Sequence, residues 1–231
     1  MPKVISIFAL AFICINYSTT AQTAISTSAI STDEVVVTQC KETKAVNTAN
    51  ICEAYPFLSA DGLRLYLTSD RTGGFGRLYI STRKSIDEPF GTPEILSKKL
   101  EDGYYCATLT KDELTICMAK DGDIYIGHRK NITDQFGTPV KITGLDEARY
   151  FAPAISPDGN EMIVLGTANG IDANICLKKT GEYQFVKTGT LVMPDSVDAE
   201  PGQFSKDGLS YYTSLVNPNG DEKIWKLTRT S

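Results

Sequence analysis

Four segments of this chain share one wording, and that repetition restricts what it can fold into more than any other feature. They run Tyr55-Pro-Phe-Leu-Ser-Ala-Asp-Gly-Leu-Arg-Leu-Tyr-Leu67, Cys106-Ala-Thr-Leu-Thr-Lys-Asp-Glu-Leu-Thr-Ile-Cys-Met118, Ala152-Pro-Ala-Ile-Ser-Pro-Asp-Gly-Asn-Glu-Met-Ile-Val164 and Pro201-Gly-Gln-Phe-Ser-Lys-Asp-Gly-Leu-Ser-Tyr-Tyr-Thr213. Their hydroxyl residues, Ser59, Thr110, Ser156 and Ser205, lie 51, 46 and 49 positions apart, a unit of about 49 residues. Within each unit a short apolar run, then Ser/Thr-x-Asp-Gly, then a second run rich in β-branched and aromatic residues predicts a hairpin. The aspartate caps the backbone locally and the glycine accepts a positive φ without a Cβ clash. Glu113 departs from this in the second unit. Asp61, Asp112, Asp158 and Asp207 are accordingly read as turn residues rather than as reactive carboxylates.

A third strand follows in every unit: Leu78-Tyr79-Ile80, Ile124-Tyr125-Ile126, Ile175-Cys176-Leu177 and Ile224-Trp225-Lys226. A fourth is marked by Phe90-Gly-Thr-Pro93 and Phe136-Gly-Thr-Pro139, 46 apart, and by Tyr183-Gln-Phe-Val186 in the third unit. Four strands per repeat at this period predict a radial all-β architecture. The wording Ser-x-Asp-Gly, Leu-Tyr, Ser-Asp-Arg-x-Gly-Gly and Leu-Tyr-Ile resembles the TolB-type β-propeller repeat over residues 53–229. The expected fold is a four-bladed β-propeller of four-stranded antiparallel blades. A β-sandwich has no reason to repeat a turn motif at a fixed period. The last unit shows three strands before the sequence ends, whereas Glu34-Val-Val-Val-Thr38 reads as a strand with no turn of its own. Joining the two removes two open sheet edges, so residues 33–40 are expected to close the ring. A five-bladed ring, or an incomplete one closing by dimerisation, is the alternative to a closed monomer.

Residues 1–21 read as a signal peptide: Lys3, an apolar run from Val4 to Tyr17, then small and polar residues ending at Ala21. That run is shorter than the roughly 20 residues a spanning helix needs. Residues 22–32 are expected to be a flexible N-terminus and 33–231 a single propeller domain, secreted or periplasmic. The 23 basic and 28 acidic residues leave a net charge of -5 with no basic run, which argues against nucleic acid as a partner.

Export would let disulfides persist. Cys40 ends the proposed closing strand and Cys52 precedes the first blade, so a bond between them would lock the seam, closing about 12 residues for on the order of 3 kcal/mol. Cys106 and Cys117 stand on partner strands of one hairpin, and turn length decides whether they face each other. Otherwise they and Cys176 fill positions between blades, as Tyr55, Tyr66 and Tyr79 do in the first unit.

The sequence carries a single histidine, His128, with no nucleophile or acid at a motif spacing, so a packing or surface role is expected. Asp121-Gly-Asp123 lacks the continuation of a calcium loop. G-x-S-x-G, H-E-x-x-H, a P-loop and G-x-G-x-x-G are all absent. TolB-type repeats occur in periplasmic scaffolds, in peptidase propellers and in oligogalacturonate lyases. The peptidases carry their nucleophile on a separate domain and the lyases use several histidines, so the resemblance implies a binding or scaffold module for a protein or glycan, with no cofactor. The alternative is a small carbohydrate-active hydrolase or lyase using a carboxylate pair at the central channel. The resemblance also implies that each blade's first strand lines the channel. Acids then gather at one mouth: Glu53, Glu101 and Asp102, Asp146 and Glu147, and Asp198 and Glu200. Glu53, Asp102, Asp146, Glu147 and Asp198 are the candidate ligand-binding residues, able to draw in a cation, including a divalent one, or a basic segment.

Overall fold

A computed structural model of the chain describes residues 45–73, 76–100, 103–146, 149–168, 171–191, 198–199, 201–216 and 222–228. The proposed signal peptide, the flexible N-terminus, Cys40 and the proposed closing strand lie outside these residues. Four antiparallel sheets follow one another along the chain as the blades of a propeller. Blade 1 holds β1 (Glu53–Leu58), β2 (Arg64–Ser69), β3 (Arg77–Thr82) and β4 (Glu94–Ile95). Blade 2 holds β5 (Tyr105–Leu109), β6 (Thr115–Lys120), β7 (Asp123–His128) and β8 (Val140–Lys141). Blade 3 holds β9 (Tyr150–Ile155), β10 (Glu161–Ala168), β11 (Ile171–Lys179) and β12 (Phe185–Thr190). Blade 4 holds β13 (Asp198–Ala199), β14 (Gln203–Phe204), β15 (Ser210–Val216) and β16 (Glu222–Thr228).

The fourth sheet differs from the other three. Both β13 and β14 pair with β15, so they are two pieces of one inner strand, and no outer strand follows β16 among the described residues. The break falls where the other inner strands bulge. Pairing slips between Ala54 and Phe57, between Tyr105 and Thr108, and opposite Ile163 to Leu165. At these slips Tyr55, Cys106 and Ala152 take φ of 52°, 53° and 42°. Bulges of this kind kink a strand and redirect its backbone, at a cost of order 1 kcal/mol or more for each non-glycine residue held there.

The core lies between the blades because successive strand residues face opposite sides. Tyr66, Leu78, Leu109, Ile116 and Met118 fill the space between blades 1 and 2. Cys117, Ile124, Ile126, Val164 and Ile175 fill the next, and Ala154, Ile163 and Tyr211 the one after that. Each fully buried Ile or Leu is worth about 1.5–3 kcal/mol. Cysteines therefore stand where the first unit uses aromatics, as one of the two sequence readings has it. The hairpin register puts Thr108, not Cys106, opposite Cys117, and no disulfide forms among the described residues.

Polar contacts tie the blades into a ring. Thr108 Oγ1 donates to the Pro153 carbonyl at 2.9 Å and accepts from Ile155 N at 3.1 Å, joining blades 2 and 3. Tyr211 Oη reaches Asn174 between blades 4 and 3. Lys206 Nζ donates to the Ala60 carbonyl at 2.8 Å, joining the last blade to the first.

Candidate functional site

One turn geometry recurs in all four blades and shapes one mouth of the channel. The hydroxyls of Ser59, Thr110, Ser156 and Ser205 each donate to the aspartate two residues on at 2.6 Å. Each aspartate also accepts the amide two residues beyond itself, and each hydroxyl oxygen accepts the amide that opens the next strand. Three donated bonds per turn thus fix the hairpin before any side chain packs. The Asp61 carboxyl is lowered to about 2, chiefly by the Ser59 hydroxyl and then by the Leu63 amide. Asp158 and Asp207 are lowered for the same first reason.

The residue after the aspartate sits near φ +74°: Gly62 at 74°, Gly159 at 75° and Gly208 at 73°. Glu113 occupies this place in blade 2 at φ 59°. Its side chain is 3% exposed and lies in the seam with blade 1. Arg64 Nε and Nη2 each donate to it at 2.7 Å, and the Tyr66 hydroxyl donates at 2.5 Å. Arg129, itself 3% exposed, stands 3.9 Å away. Glu113 therefore gives up glycine's freedom to hold a bidentate, charge-assisted clamp between two blades. Burial, and next the bond to Glu113, pushes the Tyr66 phenol up.

A second device repeats with it. Arg83 Nε donates to the Gly62 carbonyl at 2.7 Å while its guanidinium covers Phe90 at 4.5 Å. Arg129 Nε donates to the Glu113 carbonyl at 2.8 Å and covers Phe136 at 4.5 Å. The two Phe-Gly-Thr-Pro segments are thereby pinned to the turn, and the fourth strands begin just after them, at Glu94 and Val140. Lys179 takes the corresponding place in blade 3: its amide meets the Asn160 carbonyl as those of Arg83 and Arg129 meet Leu63 and Leu114.

The turns enclose a cavity of about 200 Å³ at the channel mouth, reached by residues of all four inner strands. Phe57, Leu109, Ile155 and Phe204 give it apolar walls, and Lys111 and Lys206 are its charged side chains among the described residues. A second depression, about 410 Å³, runs between blades 2 and 3. The two share Thr110, Lys111, Ile155 and Pro157, so the groove adjoins the channel mouth. The far part of the groove is bounded by Thr115 and Lys179 over Ile126.

Of the acids singled out from the sequence, the described ones, Glu53, Asp146 and the backbone of Asp198, stand at the other end of the inner strands. Glu53 opens β1 and is paired with Arg71 at 3.0 Å, with Ser69 alongside. Asp146 accepts the Tyr150 hydroxyl at 2.5 Å, and burial, then this bond, raises that phenol to about 12. Asp102, Glu147, Glu101 and Glu200 lie outside the described residues, as does the side chain of Asp198. No group of three or more metal-capable side chains occurs among the described residues. Asp121 and Gly122, at φ 56° and 88°, form a two-residue hairpin loop, and Asp123 pairs with Lys141 at 2.7 Å.

His128 sits at the blade 2–3 seam. Its Nδ1 is 3.1 Å from Thr115 Oγ1, its ring lies 5.6 Å from that of Tyr183, and its Nε2 is buried without a partner among the described residues. Burial, and next the charge of Lys179, lowers its pKa, against a smaller opposing effect of Glu182. Burial likewise raises the Cys106 and Cys117 thiols, which makes them packing groups rather than nucleophiles.

No family model matches the chain, and no curated protein matches it in sequence. Solved structures do share its fold. A TolB protein of Agrobacterium tumefaciens is 17% identical with a TM-score of 0.50, covering 77% of this chain and 58% of its own. The catalytic domain of a family-62 α-L-arabinofuranosidase of Coprinopsis cinerea is 16% identical with a TM-score of 0.52, covering 82% and 77%. A thermostable family-43 glycoside hydrolase is 13% identical, also at 0.52, covering 76% and 70%. The protein thus has the β-propeller fold, and it spans little more than half the length of the TolB chain. No helix among the described residues is long and apolar enough to cross a membrane.

Proposed function

We propose that this protein is an exported binding module that takes a protein or glycan partner at the turn-side mouth of its propeller. One observation carries the reading: the mouth is built by all four blades and its cavity presents Lys111 and Lys206 with no carboxylate among its described lining residues, while the adjoining groove between blades 2 and 3 adds Lys179 beside Asp112 and Asp158. A glycosidase of the usual kind needs two carboxylates flanking the scissile bond. The four aspartates nearest the mouth are each committed to a turn through Oδ1. Fold likeness to TolB and to two glycoside hydrolases is equally compatible with binding and with hydrolysis, since function lives in sites rather than folds. The apolar stretch before Ala21 supports export.

The test is a thermal-shift screen of the mature protein against peptides, neutral and acidic oligosaccharides, peptidoglycan fragments and divalent cations. A ligand held by the folded form alone at 100 times its Kd adds about 2.7 kcal/mol and raises the midpoint. Release of reducing ends from any oligosaccharide in the same screen would overturn the reading in favour of a hydrolase.

A further inference from the structure

Resting on that binding reading, we infer that the adjoining channel mouth and groove form a site for an extended peptide bearing carboxylates, with Lys111 and Lys179 reading its acidic side chains. The argument begins from the repeat. In blades 1 and 2 the position after the third strand is an arginine spent on structure, Arg83 and Arg129, each fixed to a turn carbonyl and an aromatic ring. Blade 3 replaces it with Lys179, whose side chain no hydrogen bond or ion pair holds among the described residues, and which lines the groove instead. Lys111 lines both cavities, and its backbone is anchored by donation to the Pro157 carbonyl at 2.9 Å while the residue is exposed. The groove therefore carries two lysine side chains without a described partner, Lys111 shared with the channel mouth and Lys179 outside it.

The acids of the same groove are less available. Asp112 Oδ1 and Asp158 Oδ1 each accept a hydroxyl and an amide of their own turns, and Asp158 Oδ2 accepts the Asn160 amide. The floor is aliphatic, with Ile126, Ile155 and Pro157, and no aromatic ring lines this groove among the described residues. Apolar side chains of a peptide suit such a floor, whereas a sugar face is best covered by an aromatic plane. Thr115, tied to His128, offers a hydroxyl for a peptide carbonyl or amide.

The probes are three fluorescein-labelled hexamers: Glu-Leu-Val-Glu-Leu-Glu, the same peptide with Lys for Glu, and a galacturonic acid hexamer, each followed by fluorescence anisotropy. The acidic peptide should bind, more weakly as salt rises, and the basic one should not. Exposed Lys–carboxylate pairs contribute modestly, so Lys111→Glu with Lys179→Glu should weaken the acidic peptide about tenfold or more, while Lys84→Glu, exposed on blade 1, leaves it unchanged. Equal binding of the basic peptide, preference for the galacturonate, or indifference to the double substitution overturns the peptide site while leaving a binding module in place. Absence of binding by all three probes, together with a flat thermal-shift screen, overturns both readings.

Discussion

Glu113 illustrates how one residue can contradict its own repeat for a reason that lies a blade away. At φ 59° a side chain costs roughly 1–2 kcal/mol relative to glycine, yet this one meets Arg64 in a bidentate pair. Removing one partner of a buried ion pair strands the other charge, so Glu113→Gln should cost about 3–5 kcal/mol. For a domain of this size that lowers Tm by roughly 10 °C in a calorimetric scan. Glu113→Ala and Glu113→Gly both remove the clamp, but only glycine relieves the backbone. The glycine variant should therefore be the more stable of the two by about 1 kcal/mol, which separates the strain from the ion pair in urea melts. The departure from Asp-Gly is visible in the sequence; its role is not, because the partner arginine is 49 residues distant. Arg83 and Arg129 do leave a signal, each seven residues before the phenylalanine of a repeated Phe-Gly-Thr-Pro, but the spacing does not say what the guanidinium holds.

The hairpin is the element the sequence spelled most fully, since its hydroxyl, aspartate and glycine are all local. Ser156 is buried and its oxygen both donates to Asp158 and accepts Glu161 N at 2.9 Å. Ser156→Ala leaves a carboxylate oxygen and an amide short of a partner and should cost about 1–3 kcal/mol in chemical denaturation. It should also let the Asp158 carboxyl rise, since that hydroxyl is the main cause of its lowering. The bulges of the inner strands were not legible. Tyr55, Cys106 and Ala152 carry positive φ without being glycine, asparagine or aspartate, so nothing local announces the slip. They also explain why the Cys106–Cys117 alignment resisted a reading from turn length alone: the register changes within β5 itself. For the candidate site, the turn residues were legible as turns but not as a channel mouth, which the sequence reading sought at the acids instead, and the groove needs two blades placed side by side before Lys179 shows its role.

For the whole molecule, acid should act in two stages. The His128 pKa is lowered in the fold, so the unfolded chain takes up a proton first; stability is full above about pH 6.5 and declines as pH falls below it. Lys179 and Glu182 are the charges that face this ring, the first favouring the neutral form and the second the protonated one. Asp61, Asp158 and Asp207 act in the same sense at lower pH. Their folded pKa values lie below the ordinary 3.8, so their contribution is present above that pH and is lost as pH falls toward about 2 for Asp61. Tm followed from pH 8 to pH 2 should show both declines, and His128→Gln should abolish the upper one alone. Among the described residues the polar ties around the ring are also uneven. Blades 1 and 2 are joined by a buried ionic clamp, while the described polar tie between the last blade and the first is one lysine to one carbonyl. Opening is therefore expected to begin at that join, with amides of β14 and β15 exchanging with deuterated solvent before those of β5 and β6. A disc built from four versions of one sentence would then come apart as a zip does, from one end.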